Sequence, residues 1–291
     1  MKSYSLYRDL IMKGWKDMSN LLNTCAKLID EIKNKTPLVH NITNYVTVND
    51  CANAILAIGG SPVMADDQDE VEDIVSISSA LVINIGTLNK RTIASMIVAA
   101  KKANGLKIPV ILDPVGAGAS RLRNKTVEYI LSQIKVDVIR GNLSEVSFIA
   151  GLEVSTKGVD SAIEDEKNDA MEISKLVSQK YSCIVAITGK EDIISDGTRF
   201  AKVSNGHKLL SKVTGTGCMT SALVASFCGI TKDYYAAAIT GITSMGISGE
   251  IAFEKAGTIG TGSFHIHIID AISNMNSKLF LGRGKINEKK H

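Results

Sequence analysis

Thr214-Gly215-Thr216-Gly217-Cys218 follows Val213 and opens a run of small residues, Met219 to Phe227, patterned as a helix. Glycines let a turn aim its backbone N–H groups inward with no Cβ in the way. A helix N-terminus adds a field that favours negative charge. The two together predict an anion hole suited to a phosphoryl group in transfer. Taken alone, a GTG reads as an ordinary helix start, so the segment needs company from elsewhere in the chain.

That company comes from the ends of apolar runs. Asn41 with Thr43 and Asn44, Met64 with Asp66, Asn84 with Gly86 and Thr87, Asp113 with Gly116 and Gly118, Arg140 with Asn142, and Thr188 with Gly189 each close such a run. In a doubly wound sheet, ligands bind beyond the carboxyl ends of the strands. A carboxylate at Asp113 can hold magnesium through water or accept a proton. Asn142 and Glu145 are three apart at a helix start and share a face. Glu145 there suits orienting metal-bound water, or simply complementing the helix dipole. The guanidinium of Arg140 stays charged and forks onto phosphate oxygens.

Other motifs fall away. The chain holds no GxxxxGK[ST] phosphate loop, and no GxGxxG follows its first strand. Gly257-Thr258-Ile259-Gly260-Thr261-Gly262 lies between helices and reads as a loop or helix start. His265 and His267 diverge on a helix, which disfavours a shared metal. His40 reads as a satisfied polar residue, and Cys25, Cys51, Cys183 and Cys228 as small buried apolar ones.

The elements that must position these residues follow from periodicity. Strands are expected at Leu38–His40, Ser61–Met64, Leu81–Ile85, Val110–Asp113, Val136–Ile139 and Ile184–Thr188, mostly as continuous apolar runs typical of parallel strands covered on both faces. Helices are expected at Val46–Ile58, Asp67–Ser76, Lys90–Asn104, Thr126–Gln133, Leu143–Ala150 and Asn168–Lys180, with Lys157–Asn168 a polar loop. Asp196-Gly197 between Ile193–Ser195 and Phe200–Ser204 signals a hairpin. Gly217–Cys228, Tyr234–Lys255 and His265–Lys278 read as helices. A further helix runs Ser19–Lys33, with Ser19 as its cap. This order predicts an α/β fold with a mostly parallel sheet between helical layers. One domain is expected over 19–280, after an extension at 1–18 and before a basic, frayed tail at 281–291.

Bulk properties remove whole classes of function. Basic residues number 33 against 30 acidic, scattered along the chain, and only 5% of residues are aromatic. Neither a basic patch nor stacking platforms for nucleic acid are expected. No apolar run approaches the ~18 residues of a membrane span, and no signal core opens the chain. Five cysteines without CxxC spacing argue against a zinc site and a disulfide framework, and for a cytoplasmic protein.

With these residues in place, the chain resembles the hydroxyethylthiazole kinases of the ribokinase-like superfamily. The resemblance rests on seven segments: 37–44, 59–64, 84–87, 113–118, 139–145, 186–189 and 213–218. It implies a three-layer sandwich, ATP and magnesium as reactants, and phosphorylation of the hydroxyethyl group of 5-(2-hydroxyethyl)-4-methylthiazole in thiamine salvage. It also implies a homotrimer with thiazole pockets at subunit interfaces. By position, Met64 and Gly215 would contact the thiazole, with Asn41 and Val46 helping to form its pocket. Arg140, Thr188 and Asn142 would contact ATP, and Asp113 and Glu145 would lie by the metal. Gly215, Thr216, Gly217 and Cys218 would form the catalytic turn. Sugar kinases of this superfamily end that turn in aspartate, so Cys218 leaves its share of the proton transfer open. Three alternatives remain at this point: a hydroxymethylpyrimidine or sugar kinase, an ADP- or ATP-dependent dehydratase of hydrated nicotinamide cofactor, and a non-catalytic vitamin sensor.

Overall fold

The computed structural model describes residues 20–152 and 163–290. The expected extension and the cap Ser19 therefore lie outside the described residues. A first helix, α1, covers 20–35. The chain then alternates β1 (Leu38–Ile42), α2 (Val48–Ile58), β2 (Ser61–Val63), α3 (Val71–Ile77), β3 (Ala80–Asn84), α4 (Lys90–Leu106), β4 (Val110–Asp113), α5 (Arg121–Gln133), β5 (Val138–Gly141), α6 (Leu143–Ala150), α7 (Ile163–Tyr181) and β6 (Ile184–Ile187). Strands β7 (Asp192–Ser195) and β8 (Arg199–Val203) form the expected hairpin, and a 3₁₀ turn spans Lys208–Lys212. Helices α8 (Thr216–Cys228), α9 (Tyr234–Ala256), α10 (Thr261–Ser273) and α11 (Ser277–Arg283) precede β9 (Ile286–Lys290).

All nine strands form one sheet in the order β2-β1-β3-β4-β5-β6-β7-β8-β9. Pairing is parallel from β2 to β6 and antiparallel from β6 to β9. The continuous apolar runs are explained by burial on both faces. Leu81 and Ile83 of β3 pack on one side and Val82 on the other; Leu112 and Ile111 of β4 divide likewise. One side is covered by α1, α2 and α8 to α11, the other by α3 to α7. The expected three-layer sandwich is thus what the chain forms. β2 is the edge strand, so the chain passes over β1 to reach β3. This reversal of strand order is where such sheets open a crevice.

The differences from the sequence reading have local causes. α2 begins at Val48 rather than Val46, because Asn44 accepts a hydrogen bond from Thr47 N–H at 3.2 Å and closes a turn there. α5 begins a turn early, with the Ser120 hydroxyl capping Arg123 N–H. Residues 163–168, read as loop, belong to α7; 157–162 lie outside the described residues. The helix expected over His265–Lys278 breaks in two, because Asn276 caps a new start by accepting from Leu279 N–H. The tail expected to fray forms β9 instead, pairing with all of β8. α9 is the one helix among the described residues long and apolar enough to cross a membrane, and 83% of that stretch is buried inside the protein.

Candidate active site

β1, β3, β4, β5 and β6 all run the same way, so their carboxyl ends deliver Asn41, Asn84, Asp113, Arg140 and Thr188 to one edge of the sheet. Register then makes specific neighbours. Asn84 pairs directly with Asp113, and its amide nitrogen donates to Asp113 Oδ2 at 2.7 Å. Ser221, one helical turn beyond Cys218, donates to the same oxygen at 2.8 Å. Asp113 Oδ1 has no hydrogen-bond partner. Arg140 Nη1 stands 3.8 Å from it, close enough to attract and too far to hydrogen-bond. Burial is the main force on this carboxyl and lifts its pKa to about 6; Arg140 and the two hydrogen bonds pull down, Glu145 pushes up.

Cys218 closes the same cluster. Asn44 and Asn84 each donate an amide N–H to its sulfur at 3.3 Å, and Asn44 also donates to Asn84 Oδ1 at 3.0 Å. Burial first, then the Asp113 charge, raises the thiol pKa against the hydrogen-bonding side chains of Thr47, Asn44 and Asn84 that lower it. At neutral pH Cys218 is therefore a thiol.

The glycine turn has the geometry the sequence implied. Gly215 is the N-cap of α8 with φ +89° and has no side chain to offer the helix. The amides of the first turn, which lack intrahelical acceptors, are left for an anion. A Cβ on Gly215 would sit 2.6 Å from Thr47 Cγ2, and one on Gly217 would sit 2.7 Å from Arg140 Nη1. Gly215 thus needs to be glycine both for close approach and for its backbone angle, whereas at Gly217 only the movable end of the Arg140 side chain stands in the way.

Two cavities lie along this edge of the sheet, and the turn walls the larger through Thr216 and Gly217. The larger, about 780 Å³, is lined by Arg140, Asn142, Thr188, Thr216 and Gly217 together with the 205–211 loop. The smaller, about 220 Å³, is lined by Asn41, Thr43, Tyr45, Met64 and Asp66 among others. Asn44 joins them: its neighbours in sequence line the small cavity, and its amide bonds Cys218, next to Gly217 of the large one. Asn41 is buried with neither amide atom partnered, as expected of a group awaiting a ligand.

Not every expected residue lines a cavity. Val46 is 54% exposed and lies outside the lining of either. Gly215 also lies outside both linings, pressed on Thr47. Glu145 is engaged in a capping box: Oε2 accepts Asn142 N–H and Oε1 accepts Gly116 N–H, each at 2.8 Å. Among the described residues no group of three or more His, Cys, Asp or Glu is placed to hold a metal. His265 faces Asp50 at 3.1 Å and His267 faces Asp270 at 3.0 Å, in separate pairs.

Three residues had no role in the sequence reading. Arg123 donates to Ile85 O at 3.0 Å, to Gly86 O at 2.6 Å and to Val115 O, stitching the loops after β3 and β4. Ser221 was signalled only by its spacing of three from Cys218. Asp192 lines the large cavity and accepts Gly189 N–H at 2.9 Å, which shapes the turn after Thr188. Burial lifts its pKa to about 7 despite that bond and Arg140.

Comparisons with known proteins point to one family. Residues 29–278 match the model of the hydroxyethylthiazole kinase family. A hydroxyethylthiazole kinase of Ruminiclostridium cellulolyticum is 62% identical over 93% of this chain and 100% of its own length. That of Clostridium beijerinckii is 59% identical with the same coverage. The structure of the hydroxyethylthiazole kinase protein from Pyrococcus horikoshii OT3 superposes with a TM-score of 0.84 at 38% identity, over 91% of this chain and 99% of that one. Staphylococcus aureus pyridoxal kinase shares the ribokinase-like fold at a TM-score of 0.61 and 14% identity, over 87% of this chain and 98% of its own. The chain is an enzyme of kinase type and belongs to the hydroxyethylthiazole kinase family.

Proposed function

We propose that the chain transfers the γ-phosphoryl group of ATP to the hydroxyl of 5-(2-hydroxyethyl)-4-methylthiazole, a step of thiamine salvage. The observation that carries this reading is that the turn walls the larger of two cavities through Thr216 and Gly217, while Cys218 is bonded by Asn44, whose chain neighbours Thr43 and Tyr45 line the smaller. The larger, with Arg140, Thr188 and Asn142, suits a nucleotide. The smaller, with Met64 and the unpartnered Asn41, suits a compact heterocyclic alcohol. Phosphoryl transfer depends chiefly on positioning and on stabilising spread charge. The first-turn amides of α8 and the Arg140 guanidinium supply that stabilisation. Cys218, held as a thiol by burial, acts as a neighbour that shapes the acceptor site.

The residues fit a magnesium ion held mainly by water and phosphate. Asp113 Oδ1 is a buried acceptor that no protein group satisfies, and Glu145 keeps lone pairs for a metal-bound water beyond its two backbone bonds. When bound, the ion would neutralise phosphate charge. Tyr45, 79% exposed at the lip of the small cavity, supports closure of that cavity by a second copy of the chain in a homotrimer. Five free thiols, four of them buried, suit the cytoplasm.

The test is a coupled assay for ADP release with ATP, magnesium and the thiazole alcohol, with the product weighed by mass spectrometry. Phosphorylated thiazole in equal amount to ADP is expected. Turnover of hydroxymethylpyrimidine or of hydrated nicotinamide cofactor in place of the thiazole would overturn the reading. Within it, Cys218→Ala is expected to lose less than the ~10⁴-fold upper range of general-base catalysis; a larger loss would make the thiol the principal base.

A further inference from the structure

The loop carrying Asn205, Gly206 and His207 forms part of the wall of the large cavity, and it is held from behind by groups the chemistry above does not use. Asn205 is buried. Its Nδ2 donates to Arg283 O at 2.9 Å and to Glu250 Oε1 at 3.2 Å, and its Oδ1 accepts Lys285 N–H at 2.7 Å. Gly206 N–H donates to the same Glu250 Oε1 at 3.2 Å, and Lys285 Nζ lies 2.9 Å from it. One carboxylate oxygen thus gathers two donors from the cavity wall and one from the segment leading into β9. One turn along α9, Phe253 stacks on the His207 ring with centroids 3.7 Å apart. The wall is braced by α9 and by the C-terminal segment together.

We infer that Glu250 is a positioning residue for the nucleotide: its carboxylate fixes the Asn205–His207 wall of the large cavity and couples that wall to the C-terminal strand. This rests on reading the large cavity as the nucleotide half of the site. Glu250 touches no reacting group, so its removal should weaken nucleotide binding and leave the acceptor side alone. Taking away a largely buried acceptor strands Gly206 N–H and one Asn205 bond.

The experiment is steady-state kinetics in both substrates, with nucleotide affinity by calorimetry, for Glu250→Ala, Glu250→Gln and a chain ending at Gly284. Glu250→Ala is expected to raise the KM for ATP and the nucleotide Kd about tenfold, with kcat and the KM for the alcohol within about twofold. Glu250→Gln keeps an accepting oxygen and is expected to recover most of that loss, which a purely charge-based role would not allow. The shortened chain removes Lys285 N–H and should reproduce the nucleotide-specific change. Nucleotide affinity within about twofold of the parent in the folded variants, or equal rises in both KM values, would overturn the inference. Arg140→Ala separates the two levels. If it abolishes nucleotide binding while the Glu250 variants leave it intact, the inference alone fails. If it too leaves binding intact, the nucleotide reading of the cavity fails and the inference with it.

Discussion

Gly217→Ala separates stability from function in this site. The added Cβ would sit 2.7 Å from Arg140 Nη1, 3.2 Å from Nη2 and 3.4 Å from Cζ. All three atoms belong to the far end of a flexible side chain, so folding can relieve the clash by moving the guanidinium. Gly217 is the second residue of α8 and has no positive φ. Alanine there should add up to about 1 kcal/mol of helix propensity, worth roughly 2–4 °C in melting temperature for a chain of this size. The displaced guanidinium loses its hydrogen bond to Thr188 Oγ1 and its aim into the cavity. A hydrogen bond to a charged group contributes about 1.5–3 kcal/mol, which converts to roughly 10- to 150-fold in kcat/KM for ATP. Melting curves and initial rates on the same preparation check both halves. An enzyme that keeps kcat/KM within about threefold of the parent would refute the reasoning, because Arg140 would then have no need to lie against the glycine turn. A parallel loss of stability and activity would also refute it, by showing that the backbone and not the guanidinium gives way.

Two further predictions follow from charges at the edges of the cavities. Asp192 has its pKa raised by burial to about 7 from 3.8, so the folded protein binds this proton more tightly than the unfolded chain. Its contribution to stability is full below about pH 4 and is lost as pH rises to 7, by up to about 4 kcal/mol. Asp192→Asn keeps the acceptor for Gly189 N–H and should flatten that part of the stability curve, giving a higher melting temperature at pH 8; an unchanged pH slope in denaturant titrations would refute the assignment. On the other side, Arg91 forks onto Asp66 at 2.9 and 3.1 Å and fastens the loop after Met64 to the start of α4. Both side chains are half exposed, so Arg91→Ala should change stability little but raise the KM for the alcohol several-fold with that for ATP unchanged; equal rises in both would argue against a clasp on the small cavity.

Much of this arrangement was legible in the sequence because parallel strands buried on both faces read as apolar runs, and each run stopped at a polar residue or glycine. Arg140, Asn142 and Thr188 line one cavity as those run ends implied, and Asn41 and Met64 the other. The hydrogen bonds of Asn84 to Asp113 and Cys218 depend on register between strands and on a helix far along the chain, which no local pattern encodes. Asp192 follows Gly189-Lys190-Glu191 and reads as part of a solvated turn; its burial comes from tertiary packing. Glu145 was legible as a helix-end charge, and the capping box is the reason, since the same carboxylate that suits metal-bound water already serves two backbone amides. The C-terminal strand was missed because four of its five residues, Asn287, Glu288, Lys289 and Lys290, are polar or charged. It forms because β8 would otherwise be an open edge, and Arg199 fastens it through Glu288 at 3.0 Å.

The electrostatics of the free site are poorly balanced, and that imbalance has a sign. Arg140 faces two buried acids, Asp113 and Asp192, yet both have raised pKa values, about 6 and about 7. Desolvation therefore outweighs the attraction of the one guanidinium between them. A core built only for stability would replace such groups with apolar ones. Here Asp113 Oδ1 and the Nε of Arg140 are both buried without partners, so the unmet demand lies on both charge signs. A phosphate alone would satisfy the arginine and the first-turn amides but push both acids further up. A cation arriving with it would satisfy Asp113 Oδ1 and reverse that push. Neither charge is well accommodated singly, so nucleotide and cation together should bind more tightly than the product of their separate affinities predicts. Calorimetry of ATP with and without magnesium measures this coupling directly. Independent binding would mean that the under-satisfied pair is a feature of the fold and not of the reaction.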